Sequence, residues 1–301
     1  MSKTMKSFRF RKVDAFASAT SSGNPAGIVS LDDFGDLAEA DMQRIARELK
    51  GFVSEVAFTA RIAPDAFKVR YFSSEMEVQF CGHATIGFAY DCIINDPTLA
   101  ALPRIHLRTN KGLLAVENRV REEDAVYIQA PVPVHSACGP SRADIAGALN
   151  LAESALDPSV ALGIVNAGNE TLCVPLKTLG DVVGTRPDFT ALLGFCQRHR
   201  LDAVTIFSRE VSDPANQLRT RVFAAPFGYL EDPATGSGNA ALGHHLHRTG
   251  HWDGKPIRIE QNADLQNPNI VRLASVPDPE HGIRVIFGGS AILRIDGNYW
   301  I

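Results

Sequence analysis

The chain has 301 residues, 45% of them hydrophobic and 21% charged, with a formal net charge of −4. This composition excludes a disordered polymer, and the slight negative charge gives no electrostatic case for nucleic acid or a membrane surface as partner. The basic segment at residues 1–12 has no apolar run behind it, so it reads as neither signal peptide nor membrane span, and a cytoplasmic location is expected.

Residues 10–16 alternate as a first strand, and the turn formers Ser21-Ser-Gly-Asn-Pro-Ala-Gly27 lead to a second at 28–31. Met42, Ile45, Ala46 and Leu49 have the i, i+3, i+4, i+7 spacing of a short amphipathic helix, with Asp41 before them and Gly51 after. Residues 54–59 read as a strand with Val56 and Phe58 on one face and Glu55, Ala57 and Thr59 on the other. A strand at 67–72 and a loop at 73–78 follow. Beyond Phe80-Cys-Gly-His83, residues 84–94 are apolar nearly all round, which predicts a helix enclosed by protein.

Strands are expected near 105–107 and 113–116. The charged run Arg121-Glu-Glu-Asp124 and Pro131-Val-Pro133 then mark a division. One domain is expected over residues 1–121, completed by 291–301, and another over 122–290. Ser141 with Asp144 forms a helix-start pattern, residues 164–174 read largely as strand around Gly168-Asn169, and Asp188 is placed to cap a helix through Arg198. Strands follow at 204–207, 219–223, 283–287 and 291–295.

The halves share residues as well as rhythm. Arg70-Tyr-Phe-Ser-Ser74 matches Arg221-Val-Phe-Ala-Ala225, and Gly23-Asn24 has a counterpart in Gly168-Asn169. Each arginine segment precedes an acid-bearing loop, a glycine and a small-residue helix. An α+β protein of two similar domains is therefore expected, each a central helix wrapped by strands, with both helix N-termini turned into one shared cleft.

Glu231-Asp-Pro-Ala-Thr-Gly-Ser-Gly-Asn-Ala-Ala-Leu242 is the densest functional signal. Gly236 and Gly238 permit close backbone approach, Thr235 or Ser237 is placed to cap, and the following residues predict a helix with free N–H groups at its start. Such an end attracts carboxylate or phosphate. Neither this stretch nor Phe80-Cys-Gly-His-Ala-Thr85 carries a nucleotide P-loop or a dinucleotide fingerprint, so a small carboxylate is the favoured ligand.

Glu55, His83, Asp232 and Cys81 are the candidate acids and bases. Each also admits a structural reading: an edge-strand glutamate, a packed histidine, a turn-forming aspartate and a small buried thiol. The five cysteines are scattered and odd in number, as reduced thiols would be. His244, His245, His247 and His251 lack the cysteine or carboxylate pattern of a zinc site and read as a solvated or capping group. No metal site is expected.

Four motifs, Ser22-Gly-Asn-Pro-Ala-Gly27, Ser54-Glu-Val-Ala-Phe58, Cys81-Gly-His-Ala-Thr85 and Glu231-Asp-Pro-Ala-Thr-Gly-Ser237, resemble in this order those of the PhzF-like phenazine-biosynthesis isomerases. The resemblance extends over the whole chain. It implies the diaminopimelate-epimerase-like fold, a homodimer, and proton transfer on a small carboxylate such as trans-2,3-dihydro-3-hydroxyanthranilate without metal or organic cofactor. It further implies that Glu55 is the general acid/base, its pKa raised by desolvation. His83 and Asp232 would bind and polarise the substrate, and Asn24, Gly82, Gly236 and Ser237 would contact it.

Cys81 departs from the alanine expected in the phenazine enzyme, which points to a paralogue with a different substrate. Racemases of this fold carry a cysteine at each helix start, whereas here Cys81 is matched by Thr235, far too weak an acid–base group to replace a thiol unaided. A Cys81/Thr235 epimerase or dehydratase is one alternative. A metabolite-binding protein without catalysis is the other.

Overall fold

Alternating β-branched and aromatic residues make the strands of this protein, and two enclosed helices give those strands something to pack on. The computed structural model describes residues 6–301. Their contacts divide the chain into a first unit that runs through Ile128 and is completed by Gly288–Ile301, and a second unit, Gln129–Phe287.

The first unit holds, in order, β1 (Ser7–Ala15), β2 (Asn24–Leu31), α1 (Glu39–Glu48), β3 (Glu55–Ala63), β4 (Ala66–Phe72), β5 (Glu77–Val78), α2 (Gly82–Asn95), α3 (Pro97–Ala100), β6 (Arg104–Thr109), β7 (Gly112–Arg119), α4 (Val120–Glu123) and β8 (Ala125–Gln129). The second holds β9 (Val134–Ser136), α5 (Arg142–Leu149), β10 (Gly163–Asn166), β11 (Glu170–Pro175), α6 (Leu179–Gly184), α7 (Phe189–His199), β12 (Ala203–Ser208), β13 (Leu218–Phe223), β14 (Glu231–Asp232), α8 (Gly236–Arg248), β15 (Ile257–Gln261), β16 (Asn269–Asp278) and β17 (Gly282–Gly289). The last strand, β18 (Ala291–Trp300), returns to the first unit. The sequence places the division at 121/122; the chain instead forms α4 and pairs β8 with β7 before leaving the first unit.

Strand order in the first unit is β18-β1-β2-β3-β4-β6-β7-β8, with β2–β3 and β4–β6 parallel and β5 beside the end of β4. In the second it is β9-β10-β11-β12-β13-β15-β16, with β11–β12 and β13–β15 parallel and β14 beside the end of β13. The parallel steps recur at the same places, so the internal repeat is topological as well as sequential.

Each sheet is covered on both faces. Val56, Phe58 and Phe72 bury one face of the first sheet with Met42, Ile45 and Ala46 of α1. The Phe58 and Phe72 rings meet edge to face at 5.4 Å, an arrangement worth about 0.5–1.5 kcal/mol beyond the area it buries. The alternate residues, Ala57, Thr59 and Tyr71, are buried too, and α2 packs on β1, β2, β3 and β18. Every residue of α2 from Ala84 to Asp91 is buried, as its unbroken apolar run predicts. In the second unit α5 and α7 join the core of Leu172, Val204, Ile206 and Phe223, while α8 packs on β10, β11, β12 and β16.

Three local expectations change. β2 begins at Asn24, so the second half of the proposed turn cluster is strand paired with β1; the turn itself ends at Gly23, whose φ of 64° suits glycine. Asp41 lies inside the first turn of α1, whose N-cap is Ala38. His244 and His245 are buried, because α8 is enclosed along nearly its whole length, and burial pushes His244 down to about 4. Ser141 forms the expected capping box with Asp144, and Asp188 accepts from the Ala191 N–H. Among the described residues, no helix is long and apolar enough to cross a membrane.

Candidate active site

Both central helices start from the same backbone geometry. Cys81 is the N-cap of α2 at φ −135°, ψ 113°, and Thr235 is the N-cap of α8 at φ −125°, ψ 107°. Neither side chain caps its own helix. The two residues are thus equivalent in the repeat, and both side chains are committed elsewhere. The loops before them are pinned alike: Arg70 makes two 2.7 Å hydrogen bonds to Glu77, and Arg221 bonds Glu231 at 2.8 and 2.7 Å. Bidentate pairs of this kind fix geometry as well as adding energy.

In the first unit, Thr85 donates to the Cys81 carbonyl at 2.7 Å, which leaves the Tyr71 hydroxyl to donate to Thr85 across another 2.7 Å contact. This chain of hydrogen bonds ties β4 to the first turn of α2. Glu55 enters from the start of β3, where Ser54 donates to the fully buried Asn24 at 3.1 Å. Asn24 therefore supports the strand end that carries Glu55. Glu55 Oε2 lies 3.2 Å from His83 Nε2 and 3.8 Å from Cys81 Sγ, and Sγ lies 3.4 Å from His83 Nδ1. The Glu55 and His83 side chains are 19% and 11% exposed, so a ligand can reach them but bulk water is largely excluded.

Charge follows from these contacts. Burial acts to raise the Glu55 carboxyl, but hydrogen bonding to His83, the charge of His83 and the Cys81 contact outweigh it and hold it below its ordinary 4.5. Burial acts to lower His83, yet its contacts with Cys81 and Glu55 carry it well above 6.5. Burial pushes the Cys81 thiol up. The contacts thus favour an ionised Glu55 beside a protonated His83. The expected upward shift of Glu55 is overturned: desolvation is present, but a cation from another element outweighs it.

In the second unit, Thr235 donates to Asp232 Oδ2 at 2.6 Å, so it does not cap α8 as its position suggests. Gln261, from the end of β15, organises the rest. Its Nε2 donates to Thr235 Oγ1 at 3.0 Å and to the Asp232 carbonyl at 2.9 Å, and its Oε1 accepts from the Thr235 N–H at 2.9 Å and from Asn239 at 2.7 Å. Gln261 and Asn239 are both fully buried. Asn169 donates to Ser237 Oγ at 3.1 Å, tying the residue before β11 to the first turn of α8. A Cβ on Gly236 would come within 2.1 Å of the Phe287 ring, so glycine is required at the first residue of α8. No local pattern marks Gln261; only the fold brings it to Thr235.

Among the described residues, one group of three could hold a metal: ligand atoms of Glu55, Cys81 and His83 all lie within 4.8 Å of one another. The histidines of α8 form no such group, and all five cysteines are free. The arrangement in the first unit can take up and return a proton at Glu55 while His83 and the start of α2 present positive charge to an anion. Asp232, Thr235 and Gln261 form a carboxylate–hydroxyl–amide network suited to orienting a polar ligand.

The sequence model of the phenazine biosynthesis-like protein family matches residues 13–297. The chain is 28% identical to the uncharacterized isomerase YddE of Escherichia coli K12, over 96% of this chain and 97% of that protein. It is 29% identical to the trans-2,3-dihydro-3-hydroxyanthranilate isomerase of Pseudomonas fluorescens, over 93% and 95%. The crystal structure of the Bacillus anthracis PhzF family protein matches with a TM-score of 0.87 at 24% identity, covering 99% of this chain and all of that one, which shows a shared fold. With nearly its whole length matched and its fold in agreement, the chain belongs to the PhzC-PhzF family of phenazine biosynthesis-like proteins.

Proposed function

We propose that the protein is an isomerase that transfers a proton on a small cyclic or amino carboxylate, with Glu55 as general acid/base and no cofactor. The observation that carries this reading is the Glu55–His83 pair, 3.2 Å apart and mostly buried at the start of α2. The names of the curated relatives support it: isomerases, one of them acting on trans-2,3-dihydro-3-hydroxyanthranilate. A substrate carboxylate that draws His83 to itself removes part of what holds Glu55 ionised, so the carboxylate becomes more basic as it meets the carbon acid. Glu55 takes the proton from one carbon and returns it to another. We assign substrate contact to His83, Asp232, Gly82, Gly236 and Ser237, and assembly as a homodimer.

The test is solvent-deuterium incorporation into a panel of small amino and cyclic carboxylates, followed by mass spectrometry. Glu55→Gln should cut incorporation by about 10²–10⁴-fold and leave binding largely intact; turnover that survives near the wild-type rate sinks the assignment. A second reading, a Cys81/Thr235 epimerase or dehydratase, draws support from the 2.6 Å Thr235–Asp232 hydrogen bond, which supplies the hydroxyl with a base. Cys81→Ser separates the two, being mild under the first reading and severe under the second.

A further inference from the structure

We propose that the protein self-associates through the outer edge of β18, which pairs antiparallel with β18 of a second copy about a two-fold axis at Gly297. The inference deepens the homodimer assignment by naming its surface, and rests on that assignment rather than on the isomerase chemistry. β18 ends the strand order of the first unit, with β1 on one side of it. Residues 293–298 are all exposed, so both faces of the strand lie open there, with Ile295 at 42% and the nearby Trp300 at 58%. A long edge of this kind is a template for another strand.

The direction of each peptide group follows from one contact. Lys6 and Ile301 exchange both backbone hydrogen bonds, so by alternation Tyr299, Gly297 and Ile295 turn theirs toward β1, while Trp300, Asn298 and Asp296 turn theirs outward. Beyond Ile295 the register with β1 shifts, which ends the regular edge. A two-fold pairing sets outward residues opposite outward residues, so near the middle of this edge its axis falls at Asp296, Gly297 or Asn298. An axis at Asp296 sets two carboxylates face to face, and one at Asn298 sets Asp296 against the partner's Trp300. An axis at Gly297 sets Asp296 against the partner's Asn298, Ile295 against the partner's Tyr299 and Arg294 against the partner's Trp300. These are carboxylate on amide, apolar side chain on aromatic, and cation on ring. Gly297 itself supports this axis. A Cβ there would meet nothing within 4 Å in its own chain, and its φ is not positive. Glycine weakens a strand interior, so its own protomer gives no reason for it; the close approach of a second backbone does.

The test combines sedimentation of the full chain with cysteine crosslinking. Wild type should sediment as a dimer. Asn298→Pro removes an outward N–H and spares those that bond β1, so it should weaken association about 10–100-fold, the worth of two hydrogen bonds across the axis, with an unchanged circular dichroism spectrum. Gly297→Cys should close a disulfide with its own copy under oxidised glutathione, because the pair at the axis brings two Cα atoms to about 4.5 Å. Leu293→Cys should not, since the two copies of residue 293 lie about 26 Å apart along the paired strands. Wild type, with its five free cysteines, is the control for other links. A wild-type monomer overturns the homodimer and this edge together. A dimer that Asn298→Pro leaves intact, or that links at 293 rather than at 297, keeps the homodimer and overturns the edge.

Discussion

The two helix starts share one frame and have been given different chemistry. At Cys81 and Thr235 the backbone angles agree to within 10°, each helix is preceded by a strand pair closed by an arginine–glutamate fork, and each sheet has the same order. The first end is populated by groups that change charge: Glu55, His83 and Cys81. The second is populated by a hydroxyl, two amides and an aspartate that accepts from that hydroxyl. A duplicated fold can thus divide labour, one copy handling protons and the other fixing position, without altering the geometry inherited by both.

The largest expected effect tests that division directly. Glu55→Gln should reduce solvent-deuterium exchange by about 10²–10⁴-fold, the usual weight of a general acid/base. Thr235→Val should cost only about 10–100-fold, the value of one hydrogen bond to a charged group, and should act mainly through substrate affinity. Reversed magnitudes would assign the proton chemistry to the second end.

Stability offers the next contrast. Arg219 of β13 is fully buried and bonds the equally buried Glu260 at 2.9 Å, while Lys68, at the matching place on β4, lies opposite Arg108 and over the Phe34 ring at 4.5 Å. Arg219→Met should destabilise by about 3–5 kcal/mol, because Glu260 is left as an uncompensated buried charge. Lys68→Met should cost no more than about 1 kcal/mol. Urea unfolding measures both, and equal losses would break the comparison. Gly236→Ala should cost about 1–3 kcal/mol in the same assay, since the Phe287 ring must move to admit a methyl group.

The pH dependence should be the mildest signature. Glu55 is lowered in the folded protein, so its contribution is present above its ordinary 4.5 and fades as pH falls through the lowered value. His83 is raised, so its contribution is complete below 6.5 and fades as pH climbs through the raised value. Melting temperature followed across pH should therefore sag on both sides, and His83→Asn should flatten the alkaline side. A wild-type curve with no alkaline sag contradicts the imidazolium at the first end.

The repeat is legible in the sequence because its markers are local: Arg70 and Arg221 sit the same number of residues before their sheet ends, and a helix like α2 shows itself by being apolar all round. Caps such as Ser141 and Asp188 are legible for the same reason. What escapes a linear reading depends on contacts between elements. Glu55 lies on β3 and the histidine that reverses its pKa on α2, so burial can be anticipated and the counter-ion cannot. Gln261 terminates an ordinary strand, and only the parallel pairing of β13 with β15 carries it to Thr235. β5 and β14, two residues each, are too short to show a period.

β18 bears on how the protein is made. It pairs with β1 along its entire length, from Ser7 opposite Trp300 to Ala15 opposite Ala291, and Lys6 and Ile301 exchange backbone hydrogen bonds. During synthesis the second unit, one unbroken segment, leaves the ribosome while β1 has only β2 beside it and its other edge is unpaired. Until translation delivers β18, the first unit presents an unpaired strand edge, the kind that nascent chains must shield from one another. The half that carries Glu55 is therefore the last to close.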